Sequence, residues 1–182
     1  GLAIRAGEKT LRMIDIGSGA GFPGIPIKIL RPRWELTIID SGAKRISFLK
    51  SLMRELHLPE IRVVQRRAED LAHDPDLRER FDLAFCRAVA AVPVACELAI
   101  PFLKVGGSFI AQASSRAYSP GAESAETVRK AAGALGATIG KTMSYGLSGA
   151  TGERSLIQIK KLEPTPEQFP REHRTAMKKP LA

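Results

Sequence analysis

The stretch Met13-Ile14-Asp15-Ile16-Gly17-Ser18-Gly19-Ala20-Gly21-Phe22-Pro23-Gly24 decides the fold. Within residues 11–16 the apolar side chains are Leu11, Met13, Ile14 and Ile16, around a single acid, which predicts a short buried strand. Three glycines at alternate positions predict a turn, and Pro23 and Pro26 predict the first turn of a helix, where a missing N–H costs nothing. A strand, a glycine-rich turn and a helix N-terminus together indicate a site for the carboxylate or phosphate of a cofactor.

The glycine spacing narrows the choice of cofactor. Gly17, Gly19 and Gly21 form G-x-G-x-G, whereas a second frame that starts at Gly19 and ends at Gly24 satisfies the dinucleotide fingerprint G-x-G-x-x-G. That second frame begins three residues beyond the predicted strand end, whereas the fingerprint places its first glycine in the turn directly after the strand. We therefore favour the first frame and a nucleoside cofactor without a pyrophosphate. S-adenosylmethionine fits best. A dinucleotide such as NAD, and a turn that needs its glycines only for close packing, are the alternatives.

Carboxylates follow the next two predicted strands. Residues 34–39 predict a second strand, and Asp40 follows it 23 residues after Gly17, where a carboxylate can accept both ribose hydroxyls. Residues 61–64 predict a third strand, and Glu69 comes shortly after it, where it can accept from the adenine amine. Capping of the following helix is the alternative for each acid.

A fourth strand over residues 83–86 ends at Cys86 and Arg87. Since open α/β sheets place function at the carboxyl ends of their strands, both side chains are expected near the cleft. Arg87 suits the cofactor carboxylate, a phosphate or a base edge. Cys86 is a nucleophile candidate, with a buried apolar role as the alternative.

The alternation of strands and helices defines the predicted fold class. A fifth strand is expected over residues 108–113, after a helix over residues 93–103 that ends at Lys104-Val105-Gly106-Gly107. Residues 138–145 and 155–160 predict two last strands, whose connection is too short for a helical crossover. We therefore predict an α/β fold with a doubly wound, mostly parallel, seven-stranded Rossmann-like sheet and an antiparallel edge hairpin, as one domain over residues 1–182.

Composition restricts the class of partner. The chain of 182 residues has 44% hydrophobic and 26% charged residues, with no apolar run long enough to cross a membrane. Its two cysteines and three scattered histidines predict a reducing, cytoplasmic location and no metal site. A net charge of +9 favours a nucleic acid partner, with a merely solubilising basic surface as the alternative.

The tail over residues 163–182 is basic, contains prolines and shows no helical period. Arg171, Lys178 and Lys179 lie in it with one aromatic residue, Phe169, a combination that suits phosphates and an unstacked base. A solvated tail without structure is the alternative.

Absent motifs bear on the reaction. Enzymes that methylate an exocyclic amine usually place a polar residue, two prolines and an aromatic after the fourth strand, whereas this chain has Cys86-Arg87-Ala88-Val89. Methylation of pyrimidine C5 requires an attacking cysteine, and Cys86 lacks the usual preceding proline. A nucleophile with a free lone pair, such as guanine N7, remains. Catalysis would then proceed by orientation without a general base.

With these residues in view, the chain resembles the bacterial small-subunit rRNA guanine-N7 methyltransferases, the glucose-inhibited division protein B family. The resemblance rests on the motifs Asp15–Pro26, Asp40–Gly42 with Lys44 and Arg45, Arg67–Asp70, Arg87–Val89, Leu103–Gly107, Thr165-Pro166, Phe169–Arg171 and Lys178–Leu181. It implies S-adenosylmethionine contacts at Gly17, Phe22, Ala68, Glu69 and Arg87, methylation of one guanine in the decoding-region loop of 16S rRNA, and RNA contacts at Lys178 and Lys179.

Taken together, we expect cofactor contacts at Gly17, Ser18, Gly19, Gly21, Phe22, Asp40, Ala68, Glu69 and Arg87. We expect RNA contacts at Arg154, Arg171, Lys178 and Lys179. The expected partner is 16S rRNA or the small ribosomal subunit, and the expected state is a monomer without an obligate protein partner or a membrane. A methyltransferase for another RNA, and a non-catalytic RNA-binding module on the same scaffold, are the alternatives.

The chain departs from the family at three places. The family has a helical segment before its first strand, which implies that an element covering the RNA or the cofactor is absent from this sequence. Ser155 stands where the family usually has histidine, and Arg174-Thr175-Ala176 stands where the family has Gly-Thr-Pro. Between Gln112 and Ala150 the resemblance is weak.

Overall fold

The computed structural model describes residues 10–87, 89–114, 117–146 and 153–181. Residues 1–9 and most of the loop between the last two strands lie outside these ranges. No helix in the described ranges is long and apolar enough to cross a membrane.

Seven strands and six α-helices follow one another in the described residues, with one short 3-10 helix. The strands are β1 (Arg12–Ile16), β2 (Glu35–Ile39), β3 (Ile61–Val64), β4 (Phe81–Arg87), β5 (Leu103–Ser114), β6 (Ala137–Tyr145) and β7 (Arg154–Lys161). The helices are α1 (Gly24–Leu30), α2 (Ala43–Glu55), α3 (Ala68–Leu71), α4 (Val92–Ala99), α5 (Glu123–Ala134) and α6 (His173–Lys178), and the 3-10 helix is Ile100–Phe102.

All seven strands join one sheet in the order β3-β2-β1-β4-β5-β7-β6. Strands β1 to β5 are parallel, and β7 pairs antiparallel with both β5 and β6. The order reverses beside β1, which is the point where open α/β sheets form their ligand crevice. The predicted doubly wound sheet with an antiparallel edge hairpin is confirmed.

Apolar residues cover both faces of the sheet. On one face Ile25 of α1 and Leu49 of α2 join Met13 and Leu36. On the other face the side chains of α3, α4, α5 and the tail surround Ile14 and Phe109. Since neighbouring strand residues point to opposite faces, β1 contributes to both clusters and is fully buried at its centre.

The region before β5 differs from the prediction. Helix α4 ends at Ala99, and β5 starts at Leu103 rather than at residue 108. The glycines predicted to stop the helix lie inside the strand at an irregularity in its pairing with β4. A Cβ on Gly107 would lie 2.9 Å from the Lys104 carbonyl oxygen and 3.0 Å from that of Phe81, so this close approach requires glycine.

The tail also differs from the prediction. Helix α6 forms at His173–Lys178, where the sequence shows no helical period. Ala176 is buried on the inner side of this helix. Phe169 is buried in the core, so its predicted availability for a nucleobase is wrong. Tertiary contacts, not local periodicity, hold this short helix.

Candidate cofactor and substrate site

A buried acid, Asp15, fixes the conformation of the glycine loop through hydrogen bonds. Asp15, next to the end of β1, accepts hydrogen bonds at Oδ2 from Ser18 Oγ (2.6 Å) and from the Gly24 N–H (2.8 Å). Its other oxygen, Oδ1, has no hydrogen-bond partner among the described residues. Burial raises the pKa of Asp15 from 3.8 to about 6, against the opposing hydrogen bonds from Ser18 and Gly24. Asp15 thus holds both ends of the loop.

The raised pKa of Asp15 gives a testable pH dependence. The folded state binds the proton more tightly than the unfolded chain, so this contribution to stability is complete below pH 3.8 and lost as the pH rises through about 6. We expect the unfolding free energy of the wild type, relative to Asp15→Asn, to fall by about 2 to 3 kcal/mol between about pH 4 and about pH 8. Urea denaturation of both proteins measures it, and parallel pH profiles would contradict the assignment.

Gly17 takes a backbone conformation that suits only glycine. Its φ is +65°, and its N–H donates to the Ile39 carbonyl across to β2 at 2.8 Å. A Cβ at this position would overlap Val89 Cγ2. The loop therefore passes close beneath Val89, and no side chain fits between them.

A cavity of about 390 Å³ opens on one side of the glycine loop. It is lined by five of the predicted residues, Gly17, Gly19, Asp40, Ala68 and Glu69. They meet because the carboxyl ends of β1, β2 and β3 lie at the same edge of the sheet. The volume lies in the range of small-molecule sites.

Asp40 is 4% exposed and already holds three donors. Its Oδ1 accepts from the Gly42 N–H and from Arg45 Nε, both at 2.8 Å, and its Oδ2 accepts from the Gly19 N–H at 3.2 Å. Asp40 therefore accepts a hydrogen bond from the backbone directly before α2, which is close to the helix-capping role considered as its alternative. It also links the end of β2 to the glycine loop. A carboxylate has about four acceptor positions, which leaves one on Oδ2.

Glu69 lies across the cavity in α3. Its Oε1 is 3.4 Å from Arg67 Nη1 and 3.4 Å from His173 Nδ1, and its Oε2 has no partner among the described residues. No side chain caps α3, so the capping alternative for Glu69 is wrong. The carboxylate is available to a ligand.

A second cavity, of about 550 Å³, lies on the other side of the glycine loop. It is lined by Gly17, Ser18 and Gly19 of the loop. Its other lining residues include Phe22, Arg87, Gln112 and Arg154. Phe22 is 48% exposed, and Arg87 Cζ lies 5.4 Å from its ring centroid, a cation–π distance. The two cavities meet at the loop.

Cys86 is unsuited to nucleophilic attack. It is buried at the end of β4, and burial raises the pKa of its thiol to about 12. The nucleophile would have to be the thiolate, which is scarcely populated at neutral pH. The apolar role is the one that the structure supports.

The residues predicted to contact RNA lie in different settings. Arg154 starts β7 and lines the second cavity, and Lys178 and Lys179 are exposed at the end of α6. Arg171 instead forms a bidentate ion pair with the buried Glu97 of α4, through Nε at 2.8 Å and Nη2 at 2.7 Å. Its backbone N–H also donates to Glu97 Oε1 at 2.7 Å, so Arg171 anchors the tail. Gly21 lies in the loop between the shared glycines and α1.

Three site residues were missed by sequence reasoning. Gln112 pairs in register with Arg87 at the carboxyl end of β5, and its Nε2 donates to Tyr145 Oη. The strand-end rule that identified Arg87 applies equally to Gln112. Asp15 is the single acid of the first strand, but the apolar pattern does not show that it bonds to Ser18 and Gly24. His173 carries no comparable signal, because its role depends on tertiary contacts.

Comparisons with known proteins first define the class. The fold is similar to the structure of M. jannaschii TYW2 in complex with AdoMet, with a TM-score of 0.66 and 13% identity over 84% of this chain and 70% of that one. It is also similar to a 16S rRNA (adenine(1408)-N(1))-methyltransferase from Catenulisporales acidiphilia, with a TM-score of 0.64 and 13% identity over 86% and 87% of the two chains. The fold is that of the class I S-adenosylmethionine-dependent methyltransferases.

Sequence comparison then identifies the family. The family model described as rRNA small subunit methyltransferase G matches residues 3–132. The ribosomal RNA small subunit methyltransferase G of Desulfitobacterium hafniense is 45% identical over 99% of this chain and 74% of its own length. The chain belongs to the rRNA small subunit methyltransferase G family, which confirms the resemblance seen in its motifs.

Proposed function

We propose that this protein transfers a methyl group from S-adenosylmethionine to N7 of one guanine in 16S rRNA, in the cytoplasm. The observation that carries the proposal is the pair of cavities that meet at the loop Gly17–Gly19. The first cavity has carboxylates for the cofactor nucleoside. The second has the guanidinium of Arg154 for a nucleotide, with Phe22 and Arg87 available to the cofactor. Family membership supplies the substrate class.

The residues present fit this cofactor. In the first cavity, the free Oε2 of Glu69 and the remaining acceptor position of Asp40 would take the donors of the adenine amine and the ribose hydroxyls. The glycine loop lets the ligand approach the backbone closely, with Ser18 and Gly21 shaping the loop and Ala68 at the cavity wall. In the second cavity, Phe22 and Arg87 would hold the end that carries the activated methyl group. When bound, the cofactor supplies that methyl group on a positively charged sulfonium.

The second cavity suits an orientation mechanism. Among its described lining residues there is no Asp, Glu or His, so these residues offer no general base. Guanine N7 requires none, because its lone pair is free and no proton must leave before attack. Rate enhancement then comes from holding N7 in line with the methyl group, which is worth several orders of magnitude in effective concentration. Arg87, placed over Phe22, would act on the cofactor or a phosphate rather than on the purine, which becomes cationic.

Charge supports RNA as the substrate. The net charge of +9 attracts a polyanion, and Arg154 lies in the second cavity itself. Lys178 and Lys179 extend this positive surface from the tail, and Arg171 would contribute chiefly by anchoring that tail. We also propose a single domain over residues 1–182 with a basic tail over 163–182, and the single seven-stranded sheet supports this. The protein would act as a monomer on 16S rRNA or the small subunit.

Cofactor binding tests the proposal with a matched pair of variants. We expect Glu69→Gln to weaken S-adenosylmethionine binding about tenfold, because a charged acceptor contributes more than a neutral one. Asp70→Asn removes the same charge from the neighbouring exposed side chain and is expected to change the dissociation constant less than about twofold. Isothermal titration calorimetry with S-adenosylmethionine and with NAD measures both. Equal losses in the two variants, or tighter binding of NAD, would contradict the proposal.

A further inference from the structure

His173, in the tail, lies at the first cavity although nothing in its sequence surroundings indicates this. It is the first residue of α6 and lines the same cavity as Gly17, Asp40 and Glu69. Its Nδ1 is buried and has no hydrogen-bond partner in the described residues, although Glu69 Oε1 lies 3.4 Å away. An unpaired buried nitrogen beside a carboxylate is costly unless a small movement joins the two.

The two donors near Glu69 approach the same oxygen. Arg67 Nη1 and His173 Nδ1 both lie 3.4 Å from Oε1. Arg67 directly precedes α3, and His173 lies in the tail. Oε2 is left without a partner in the described residues. A carboxylate fixed through one oxygen presents the other in a defined direction, as outer hydrogen bonds orient ligating groups in other sites.

The backbone that carries His173 is anchored independently of any ligand. Arg171, two residues earlier, is held by the fully buried Glu97 of α4. His73 Nε2 contacts the Pro170 carbonyl oxygen at 3.0 Å, and Ala176 is buried on the inner side of α6. The tail therefore forms a fixed wall of the cavity, and His173 needs only a side-chain adjustment to reach Glu69.

We propose that His173 is a positioning residue of the cofactor site: its Nδ1–H donates to Glu69 Oε1 when the nucleoside is bound, which directs Oε2 towards the donors of that nucleoside. The inference rests on the proposed function and deepens it. It assigns part of the cofactor site to the tail, which the sequence associates only with RNA. The tautomer with its proton on Nδ1, or the imidazolium, satisfies this role.

The test measures S-adenosylmethionine affinity by calorimetry in the full chain. We expect His173→Ala to weaken binding about fivefold, the range for loss of one hydrogen bond. His173→Asn places an amide N–H near the Nδ1 position and is expected to restore affinity to within about twofold of the wild type. Arg174→Ala, an exposed neighbour on the same helix, is the matched control and should leave affinity unchanged.

A double-mutant cycle separates positioning from a merely structural effect. In a Glu69→Ala background, His173→Ala should cause no further loss of affinity, because the group that it positions is absent. An unchanged affinity in His173→Ala, a failure of His173→Asn to restore binding, or the same loss in the Glu69→Ala background would each overturn the inference alone. Absence of binding by the wild type would instead overturn the proposed function, and the inference with it.

Discussion

Gly17→Ala is expected to reduce methyl transfer by at least about 100-fold. The added Cβ would overlap Val89 Cγ2, and the residue has a φ of +65°. A positive φ costs a non-glycine residue about 1 to 2 kcal/mol, and overpacking costs about 1 to 3 kcal/mol more. The loop must then shift, and both cavities share it. Activity and cofactor affinity should fall together.

Gly106→Ala is the matched control for this substitution. Gly106 has a φ of +87°, so alanine meets the same kind of backbone strain, but a Cβ there has no neighbour within 4 Å. It lies early in β5, away from both cavities. We expect activity within about twofold of the wild type. Equal losses in Gly17→Ala and Gly106→Ala, measured by initial rates at saturating substrate, would show that backbone strain rather than the loop contact limits activity.

Arg171→Ala is expected to destabilise the protein by about 3 to 5 kcal/mol, because it leaves a buried carboxylate without its partner. Glu97 is 0% exposed and accepts three hydrogen bonds from Arg171. Only the backbone N–H bond survives the substitution. For a chain of this size, such a loss lowers the melting temperature by about 10 °C. Thermal unfolding monitored by circular dichroism measures the effect.

Arg174→Ala is the control that distinguishes the two roles considered for Arg171. It removes an exposed arginine three residues away and should change stability by less than about 0.5 kcal/mol. Replacing Glu97 by leucine in the Arg171→Ala protein removes the unpaired charge and should recover part of the stability. A melting temperature unchanged in Arg171→Ala, together with weaker RNA binding, would make Arg171 an RNA contact and not the anchor of the tail.

Much of the fold follows from local patterns. The alternation of apolar runs with helical periods predicts the five parallel strands, since each crossover requires a helix of sufficient length. The short connection between β6 and β7 permits only antiparallel pairing, as found. The Gly106-Gly107 pair was misinterpreted because a glycine pair that stops a helix and one that forms a strand irregularity are identical in sequence.

The site was predictable where strand ends determine position. Gly17, Asp40 and Glu69 follow three neighbouring parallel strands and therefore meet at one cavity. Helix α6 and His173 were not predictable, because a six-residue helix held by a buried ion pair leaves no periodic signal. Interpretation of the tail as an RNA-binding segment alone overlooked its contribution to the cavity wall.

Transfer of a labelled methyl group tests the central claim most directly. S-adenosylmethionine labelled at its methyl group would be incubated with this protein and small ribosomal subunits from a strain that lacks the modification. Digestion of the recovered 16S rRNA to nucleosides would then locate the label. The account predicts label on guanine N7 at one position. Label on an exocyclic amine or on a pyrimidine carbon, or cofactor binding with no transfer to 16S rRNA, would contradict it.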